Sequence, residues 1–127
     1  MSLVSFPSWG LSMDDLVQRE GLHYQKFTDV PFTGEIDEGL ERGNFKNGKK
    51  EGSLIEYHSN GQLNVKGNYK NDKKEGAWEF FYANGQLGIK GSYKNDENEG
   101  YWQYFHIDGT VDETLSGTYK KGVKVSD

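Results

Sequence analysis

Hydrophobic and polar side chains alternate with a spacing of two along much of the chain. In the segment 77–82, Trp78 and Phe80 lie on either side of Glu79, and the segment 101–106 repeats this pattern. Alternation at this period places successive side chains on opposite faces of a β-strand. Turn-forming residues follow each run, so the pattern predicts β-hairpins rather than helices.

The hairpins are copies of one another. Segments 43–66, 67–90 and 91–114 align with a period of 24 residues, and glycines recur at three fixed places in each copy. These glycines are Gly43, Gly67 and Gly91; Gly52, Gly76 and Gly100; and Gly61, Gly85 and Gly109. We expect them to flank the strands, where positive φ or a close backbone approach is needed. A fourth copy begins at Gly117, two residues late, so segment 111–116 is expected to hold a bulge or a longer bend.

Pairs of turn-forming residues follow the alternating runs. They are Asn60-Gly61, Asn84-Gly85 and Asp108-Gly109. Because Asn, Asp and Gly tolerate positive φ, these pairs predict two-residue type I′ turns. A second set, beginning with Asn47-Gly48 and Asn71-Asp72, predicts the turns at the other end of the hairpins.

Equivalent side chains of successive hairpins are expected to form rows across the sheet, and most rows are aromatic. The rows are Leu54, Trp78 and Trp102; Glu56, Phe80 and Tyr104; Tyr57, Phe81 and Phe105 on the opposite face; and Phe45, Tyr69, Tyr93 and Tyr119. Cross-strand pairs of this kind contribute about 0.2–1 kcal/mol each, which distributes stability between neighbours. The sequence therefore predicts an all-β fold, an elongated single-layer antiparallel meander of repeated hairpins. Its repeats are 43–66, 67–90, 91–116 and a partial copy at 117–125.

The repeated unit is Lys-Asn-Gly/Asp-x-x-Glu-Gly-x-Trp-x-x-Phe/Tyr-x-x-Asn-Gly-Gln-Leu. It resembles the bacterial variant of the MORN repeat (membrane occupation and recognition nexus) over residues 43–125. The resemblance implies a scaffolding or binding role. It also implies two narrower alternatives, since some bacterial members carry an antitoxin label and some eukaryotic MORN proteins are linked to membranes or phosphoinositides. The third copy departs from the unit, because Asn-Asp-Glu-Asn-Glu at 95–99 replaces the Lys pair.

The first third of the chain is predicted to cap the repeats. Residues 16–42 are expected to form capping hairpins or a degenerate repeat, with strands over 22–26, 27–32, 33–36 and 40–45. Glu20-Gly21 would turn a strand at 16–19 onto 22–25, whereas Ser12 and Asp15 would instead start one helical turn through a capping box. We favour the hairpin. Residues 1–15 are expected to be a disordered terminus or the remnant of an export signal, so an exported and a cytoplasmic location stay equally open.

The composition of the chain excludes several classes of protein. The chain has 127 residues, which fits one domain, and its 14% of aromatic residues argues against disorder. It has no Cys, which excludes disulfides and thiol nucleophiles, and it has no apolar run long enough for a transmembrane helix. Since no Ser-His-Asp set, phosphate-binding loop or HExxH motif occurs either, we expect no enzyme and no cofactor.

Charge is unevenly distributed along the chain. The net charge is −5, yet residues 43–90 hold 8 Lys against 5 acidic residues. This excess is too weak to predict a nucleic-acid binder. Lys46, Lys70 and Lys94 share one position of the repeat, and Lys66 and Lys90 share another. Such rows could face an acidic partner or anionic lipid headgroups, although they would also keep a flat sheet from pairing with copies of itself. The oligomer is expected to be a monomer or an edge-paired homodimer.

Histidines and carboxylates do not predict a metal site. His58 and His106 occupy one position two repeats apart, roughly 19 Å in a sheet, so one ion cannot bridge them and we expect stacking beside aromatics. His23 is expected to be structural. Glu51, Glu75 and Glu99 each precede a Gly and are expected to belong to turns. The segment 95–99 is the densest cluster of oxygen ligands, and a solvated turn explains it.

The preferred function is therefore a non-catalytic module that binds a protein partner through aromatics on the sheet. The candidate contact residues are Tyr57, Phe81, Phe105, Trp78, Trp102 and Tyr104. Aromatic side chains dominate binding hot spots. Packing in the core is the competing interpretation for each of them.

Overall fold

The computed structural model describes residues 10–127. A 3₁₀ helix at Met13–Asp15 is followed by twelve β-strands. The strands are β1 (Leu16–Arg19), β2 (Leu22–Gln25), β3 (Gly34–Ile36), β4 (Glu41–Lys46), β5 (Lys49–Tyr57), β6 (Leu63–Lys70), β7 (Lys73–Lys74), β8 (Gly76–Phe81), β9 (Leu87–Lys94), β10 (Glu97–Tyr104), β11 (Gly117–Lys120) and β12 (Val123–Ser126). Within these residues, no helix has the length and apolar character that crossing a membrane requires.

Strands that are consecutive in the chain are neighbours in the sheet. β1 and β2 form a separate ribbon, and the other ten strands form one sheet in the order β12-β11-β10-β9-β8-β6-β5-β4-β3, with the short β7 pairing with β6 beside β8. The pairing between these neighbours is antiparallel, as in the pair Trp78–Gly91 between β8 and β9. The predicted all-β meander of hairpins is confirmed.

Both alternatives for the N-terminal segment are present. Ser12 accepts a hydrogen bond from the Asp14 amide and forms a capping box with Asp15, and the hairpin of β1 and β2 follows directly. Leu11 and Met13 pack against the buried cluster of Leu16, Phe32, Ile36 and Phe45. Residues 12–15 are therefore an ordered cap, where the sequence suggested a disordered terminus or an export remnant. The part of that expectation that concerns residues 1–9 lies outside the described residues.

The expected strand at 27–32 is wrong. Phe27 has a φ of 68°, and the Thr28 hydroxyl donates to the Gln25 carbonyl at 2.8 Å, which turns the chain away from β2. The only ladder contact in this stretch is a single bridge between Tyr24 and Pro31. Proline has no N–H to donate, so a strand cannot extend through this position in a sheet interior.

The turns that follow the alternating runs differ in type from the prediction. Asn60 and its equivalents are not among the residues with positive φ, whereas Gly61 has a φ of 88°. His58 N–H donates to the Gln62 carbonyl at 2.8 Å, and Gly61 N–H donates to the His58 carbonyl at 2.9 Å. This is a three-residue loop that ends in a left-handed glycine. The type I′ turns predicted here are wrong because the Asn60 side chain accepts from the Gln62 amide at 2.9 Å and holds a different turn.

Type I′ geometry occurs at the opposite end of the hairpins. Both central residues of these turns have positive φ, for example 51° and 84° at Asn47-Gly48 and 52° and 71° at Asn71-Asp72. The pairs Lys46–Lys49 and Lys70–Lys73 close two-residue loops. We call this edge of the sheet the tight-turn edge.

Each repeat contains a two-residue bulge near the tight-turn edge. β5 has two more residues than β4 between the pairs Phe45–Lys50 and Gly43–Leu54. β10 has the same excess opposite β9, and the corresponding point of the second repeat separates β7 from β8. The residues at these points are Glu51-Gly52, Glu75-Gly76 and Glu99-Gly100, whose glycines have φ of 93°, 74° and 84°. The two extra residues of the repeat at 111–116 form a bend, because the Asp112 side chain accepts hydrogen bonds from the amides of Thr114 and Leu115.

A row of alternating glycines and large side chains crosses the centre of the sheet. Ile36, Leu54, Trp78 and Trp102 are all buried, and register places them opposite Gly43, Gly67, Gly91 and Gly117. Gly43, Gly67 and Gly91 lie inside strands and Gly117 begins β11, so the expectation that the recurrent glycines flank the strands is wrong for the first three. A Cβ at Gly67 or Gly91 would overlap the indole ring of Trp78 or Trp102, and a single-layer sheet thus buries its tryptophans against its own backbone.

Candidate functional site: the two faces of the sheet

The tryptophan face carries a continuous set of packed aromatic rings. The ring centroid of Trp78 lies 5.2 Å from that of Tyr69 and 5.7 Å from that of Tyr93, both edge-on, and 6.0 Å from that of Phe80, stacked. Trp102 has the same surroundings one repeat later, with Tyr93 at 4.9 Å. Burial disfavours the phenolate and raises the pKa of Tyr69 and of Tyr93 above 10.0.

Trp78 and Trp102 are core residues. Each is 1% exposed, and their indole N–H groups donate to the carbonyls of Asn68 and Ser92 at 3.1 and 3.0 Å. A partner cannot contact side chains buried to this extent, so their assignment as candidate contact residues is corrected. Tyr104 is partly buried between Trp102 and Tyr119, at 6.3 and 6.4 Å, and burial raises its pKa as well.

Two lysines of the tryptophan face are bound within it. The Lys50 ammonium lies 5.0 Å from the ring centroid of Tyr69 and 3.2 Å from the Glu41 carboxylate. The Lys74 ammonium lies 4.9 Å from the ring centroid of Tyr93. Cation–π contacts of this kind cover the rings. On the tryptophan face, aromatic rings and ammonium groups therefore contact one another.

The opposite face carries the remaining candidate aromatics. Tyr57, Phe81 and Phe105 are all half-buried there. They pair across the strands with apolar neighbours: Tyr57 with Leu63, Phe81 with Leu87, and Phe105 with Val111. We call these six residues the apolar stripe. It runs across the hairpins beside the three-residue loops, and the Arg42 guanidinium lies 4.9 Å from the Tyr57 ring centroid at one end.

The two lysine rows of the opposite face have different surroundings. Lys66 and Lys90 pair directly with Glu79 from its two sides, so opposite charges alternate in that row. Lys46, Lys70 and Lys94 are exposed next to the tight turns, where their cross-strand partners are Lys49, Lys73 and Glu97. The first two repeats therefore present like-charged pairs, and the third presents a mixed pair.

The repeat positions of His58 and Tyr82 join one hairpin to the next. His58 Nε2 lies 2.7 Å from the Phe81 carbonyl, and the Tyr82 hydroxyl donates to the Phe105 carbonyl at 2.7 Å. The expected stacking of His58 beside aromatics is replaced by this hydrogen bond. His23 contacts Phe45 with ring centroids 5.0 Å apart, which is a packing role.

The recurrent glutamates act at the tight turns. Glu51 accepts from the Asn71 amide at 2.8 Å, Glu75 from the Asn95 amide at 3.2 Å, and Glu99 from the Lys121 amide at 3.5 Å. Each bond joins the bulge of one repeat to the turn of the next. The glutamates therefore lie in bulges rather than in the turns where they were expected, and bind the turn of the following repeat. In the segment 95–99, Asp96 likewise accepts from the Lys74 amide at 2.7 Å. Among residues 10–127, no three His, Asp or Glu side chains group closely enough to hold a metal ion.

The repeat itself has a known counterpart. The family model described as the MORN repeat variant matches residues 50–71 and 74–95. These two segments are similar to the MORN repeat variant. Each matched segment spans a bulge, a three-residue loop and the return strand, so the two matches cover the hairpins β5–β6 and β8–β9. MORN repeats indicate a scaffold or interaction module. Among curated proteins, none matches this chain by sequence.

Proposed function

We propose that this chain is a non-catalytic module that binds a protein partner through the face opposite the tryptophans. The observation that carries the proposal is the unequal use of aromatics by the two faces. On the tryptophan face, Trp78 contacts three aromatic rings and is 1% exposed. Aromatic side chains of both faces are partly exposed, but within residues 10–127 no ring of Tyr57, Phe81 or Phe105 packs against another aromatic ring. These three side chains lie in a stripe that crosses successive hairpins.

The apolar stripe has the properties of a hot-spot surface. It combines large aromatic and apolar side chains on neighbouring strands, and a charged row containing Glu79 lies beside it. Aromatic anchors surrounded by polar groups are typical of protein-binding sites. A repeated sheet also presents the same chemistry at regular intervals, which suits an elongated partner.

The test is affinity capture from the native host with the wild-type chain and a Phe81→Ser, Phe105→Ser variant. The matched control is Phe27→Ser, which removes a fully exposed phenylalanine far along the chain from the stripe. We expect a partner that is captured by the wild type and by the control. It should be lost with the stripe variant at a temperature at which circular dichroism shows that this variant is still folded. Loss with Phe27→Ser alone, or turnover of a small-molecule substrate, would overturn the proposal.

An antitoxin-type role is a narrower case of the same proposal, in which the partner is a toxic protein. Co-expression of the chain with the candidate toxic protein distinguishes the antitoxin-type role from binding to a non-toxic partner. Rescue of growth by the wild type and failure of rescue by the stripe variant would support that case, whereas a captured partner without toxicity would contradict it.

A further inference from the structure

Four lysines of the opposite face lie together without neutralising partners. They are Lys46 and Lys49, which pair across β4 and β5, and Lys70 and Lys73, which pair across β6 and β7. We call them the lysine patch. Like charges directly opposite each other in a sheet are destabilising. The ion pairs found within residues 10–127 involve Arg19, Lys50 and Lys124, and none involves the patch.

The neighbouring carboxylates already have another role. The acidic residues closest in sequence to the two pairs are Asp72, Glu51 and Glu75. Asp72 accepts a hydrogen bond from the Lys50 amide at 2.8 Å, and Glu51 and Glu75 each accept one from the first amide of the next tight turn. A carboxylate that is held by a backbone N–H keeps its position in the turn. The four ammonium groups outnumber these three carboxylates and form no ion pair with them, so this end of the face keeps a local excess of positive charge.

The fold does not require lysine at these places. In the third repeat the pair equivalent to Lys70–Lys73 is Lys94–Glu97, and the last hairpin has Lys120–Val123. The same backbone thus accepts an opposite charge or an apolar residue. The patch is confined to four adjacent strands, which span roughly 14 Å at the usual strand spacing.

The apolar stripe lies on the same face at the other end of the same strands. Lys49 and Tyr57 are the first and last residues of β5, and Lys70 and Leu63 are the last and first residues of β6. Eight residues of strand correspond to roughly 25 Å. Between the two ends, cations still exceed carboxylates, because Lys66 and Lys90 flank the single Glu79.

We propose that the lysine patch and the apolar stripe together bind an acidic protein segment, with its Asp and Glu side chains on the patch and its apolar side chains on the stripe. This inference rests on the proposed protein-binding function and specifies the chemistry of the partner. A small anion or a lipid headgroup would use the lysines alone. A segment that carries acidic residues and, roughly 20–25 Å away, apolar residues satisfies both ends at once.

The experiment measures binding of the full chain to fluorescent synthetic peptides by anisotropy. One peptide carries about six Glu residues followed by an extended spacer and Leu-Phe-Leu, the second lacks the apolar residues, and the third has Lys in place of Glu. We expect the first to bind most tightly, the second more weakly, and the third not at all. Binding of the first two should weaken as salt increases.

Lys73→Glu is the decisive variant, because it recreates the Lys–Glu pair of the third repeat. We expect it to weaken binding of the acidic peptides about tenfold, while its melting temperature stays at or above that of the wild type. Lys121→Glu is the charge-matched control at an exposed turn position outside the patch. A glutamate is compatible with that geometry, since Glu20 has the same φ of 50° at the same place of its own turn.

Three results would overturn the inference. They are equal weakening by Lys73→Glu and Lys121→Glu, absence of salt-sensitive peptide binding, and binding to phosphatidylserine vesicles in preference to the acidic peptides. A native partner that is lost with the Phe81→Ser, Phe105→Ser variant but kept by Lys73→Glu would leave the proposed function standing and the acidic segment wrong. Loss of that partner with neither variant would overturn both.

Discussion

The indole ring of Trp78 lies directly on the backbone of Gly67 in the neighbouring strand, with no room for a Cβ between them. The relationship recurs one repeat later, where the ring of Trp102 lies on Gly91. Because a glycine presents a bare backbone surface, a large ring can be buried without a second layer of structure. This pairing explains how a chain with only 33% hydrophobic residues buries two tryptophans in an open sheet.

Replacing Gly67 by Ala should be strongly destabilising. The added methyl group overlaps the indole ring, and overpacking of this kind costs about 3 kcal/mol of unfolding free energy. Gly43→Ala is the matched control, because Gly43 occupies the same position opposite Leu54 and its Cβ would meet neighbours at 3.4–3.9 Å. Chemical denaturation should show a change within about 0.5 kcal/mol for the control. Equal losses in the two variants would contradict the Gly67–Trp78 contact.

Removal of the Tyr82 hydroxyl should weaken the connection between repeats. That hydroxyl donates to the Phe105 carbonyl of the next hairpin at 2.7 Å, and a hydrogen bond of this type contributes about 1 kcal/mol. We therefore expect Tyr82→Phe to lower the unfolding free energy by about that amount. Tyr101→Phe is the control, since Tyr101 is 56% exposed. A larger loss in the control would argue against a role of Tyr82 between repeats.

Stability should decline in alkaline solution. Burial raises the pKa of Tyr69 and Tyr93 above 10.0 in the folded state, so the folded chain holds these protons after the unfolded chain has released them. The stability that these two protonated tyrosines contribute is complete below about pH 10 and is lost as the pH rises through their folded-state pKa. Urea midpoints measured from pH 9 to 11 should fall above pH 10, and less so in Tyr93→Phe. A midpoint independent of pH in this range would disprove the prediction.

The loop after β2 contains a residue whose backbone is strained. Phe27 has a φ of 68° and its side chain is fully exposed. Its backbone conformation therefore costs free energy that no core contact of the side chain offsets. Phe27→Gly should raise the unfolding free energy by about 1 kcal/mol, since glycine adopts this conformation at little cost. Thermal melting would detect the increase. A marked loss of stability would instead show that the phenyl ring contributes to packing.

The sequence predicted the hairpins because hairpin formation depends on local patterns. Alternation around Trp78 assigned the side chains to two faces, and the Asn-containing turns marked where strands end. The type I′ turn predicted at Asn60-Gly61 was wrong, since Asn60-Gly61 and Asn71-Asp72 have similar intrinsic preferences and only Asn71-Asp72 has positive φ at both residues. The side chain of Asn60 and the length of the flanking strands decide between a three-residue loop and a type I′ turn.

The division of aromatics into core and surface was open from the sequence. Trp78 and Phe81 are both aromatic and lie three residues apart in one strand, yet Trp78 is 1% exposed and Phe81 is half-buried. Burial depends on what lies opposite and beside a side chain, and Gly67, Tyr69 and Tyr93 reach Trp78 from other strands. The lysine patch arises in the same way, because only register shows that Lys70 faces Lys73 while Lys94 faces Glu97.

The sequence by itself determined the all-β meander, its 24-residue repeat and the two-faced strands, because these follow from residue preferences over a few neighbouring positions. Tertiary structure alone decided which aromatics are buried, which glycines support them and which lysines meet. Those properties arise from contacts between strands, whose register and bulges place residues from different repeats against one another.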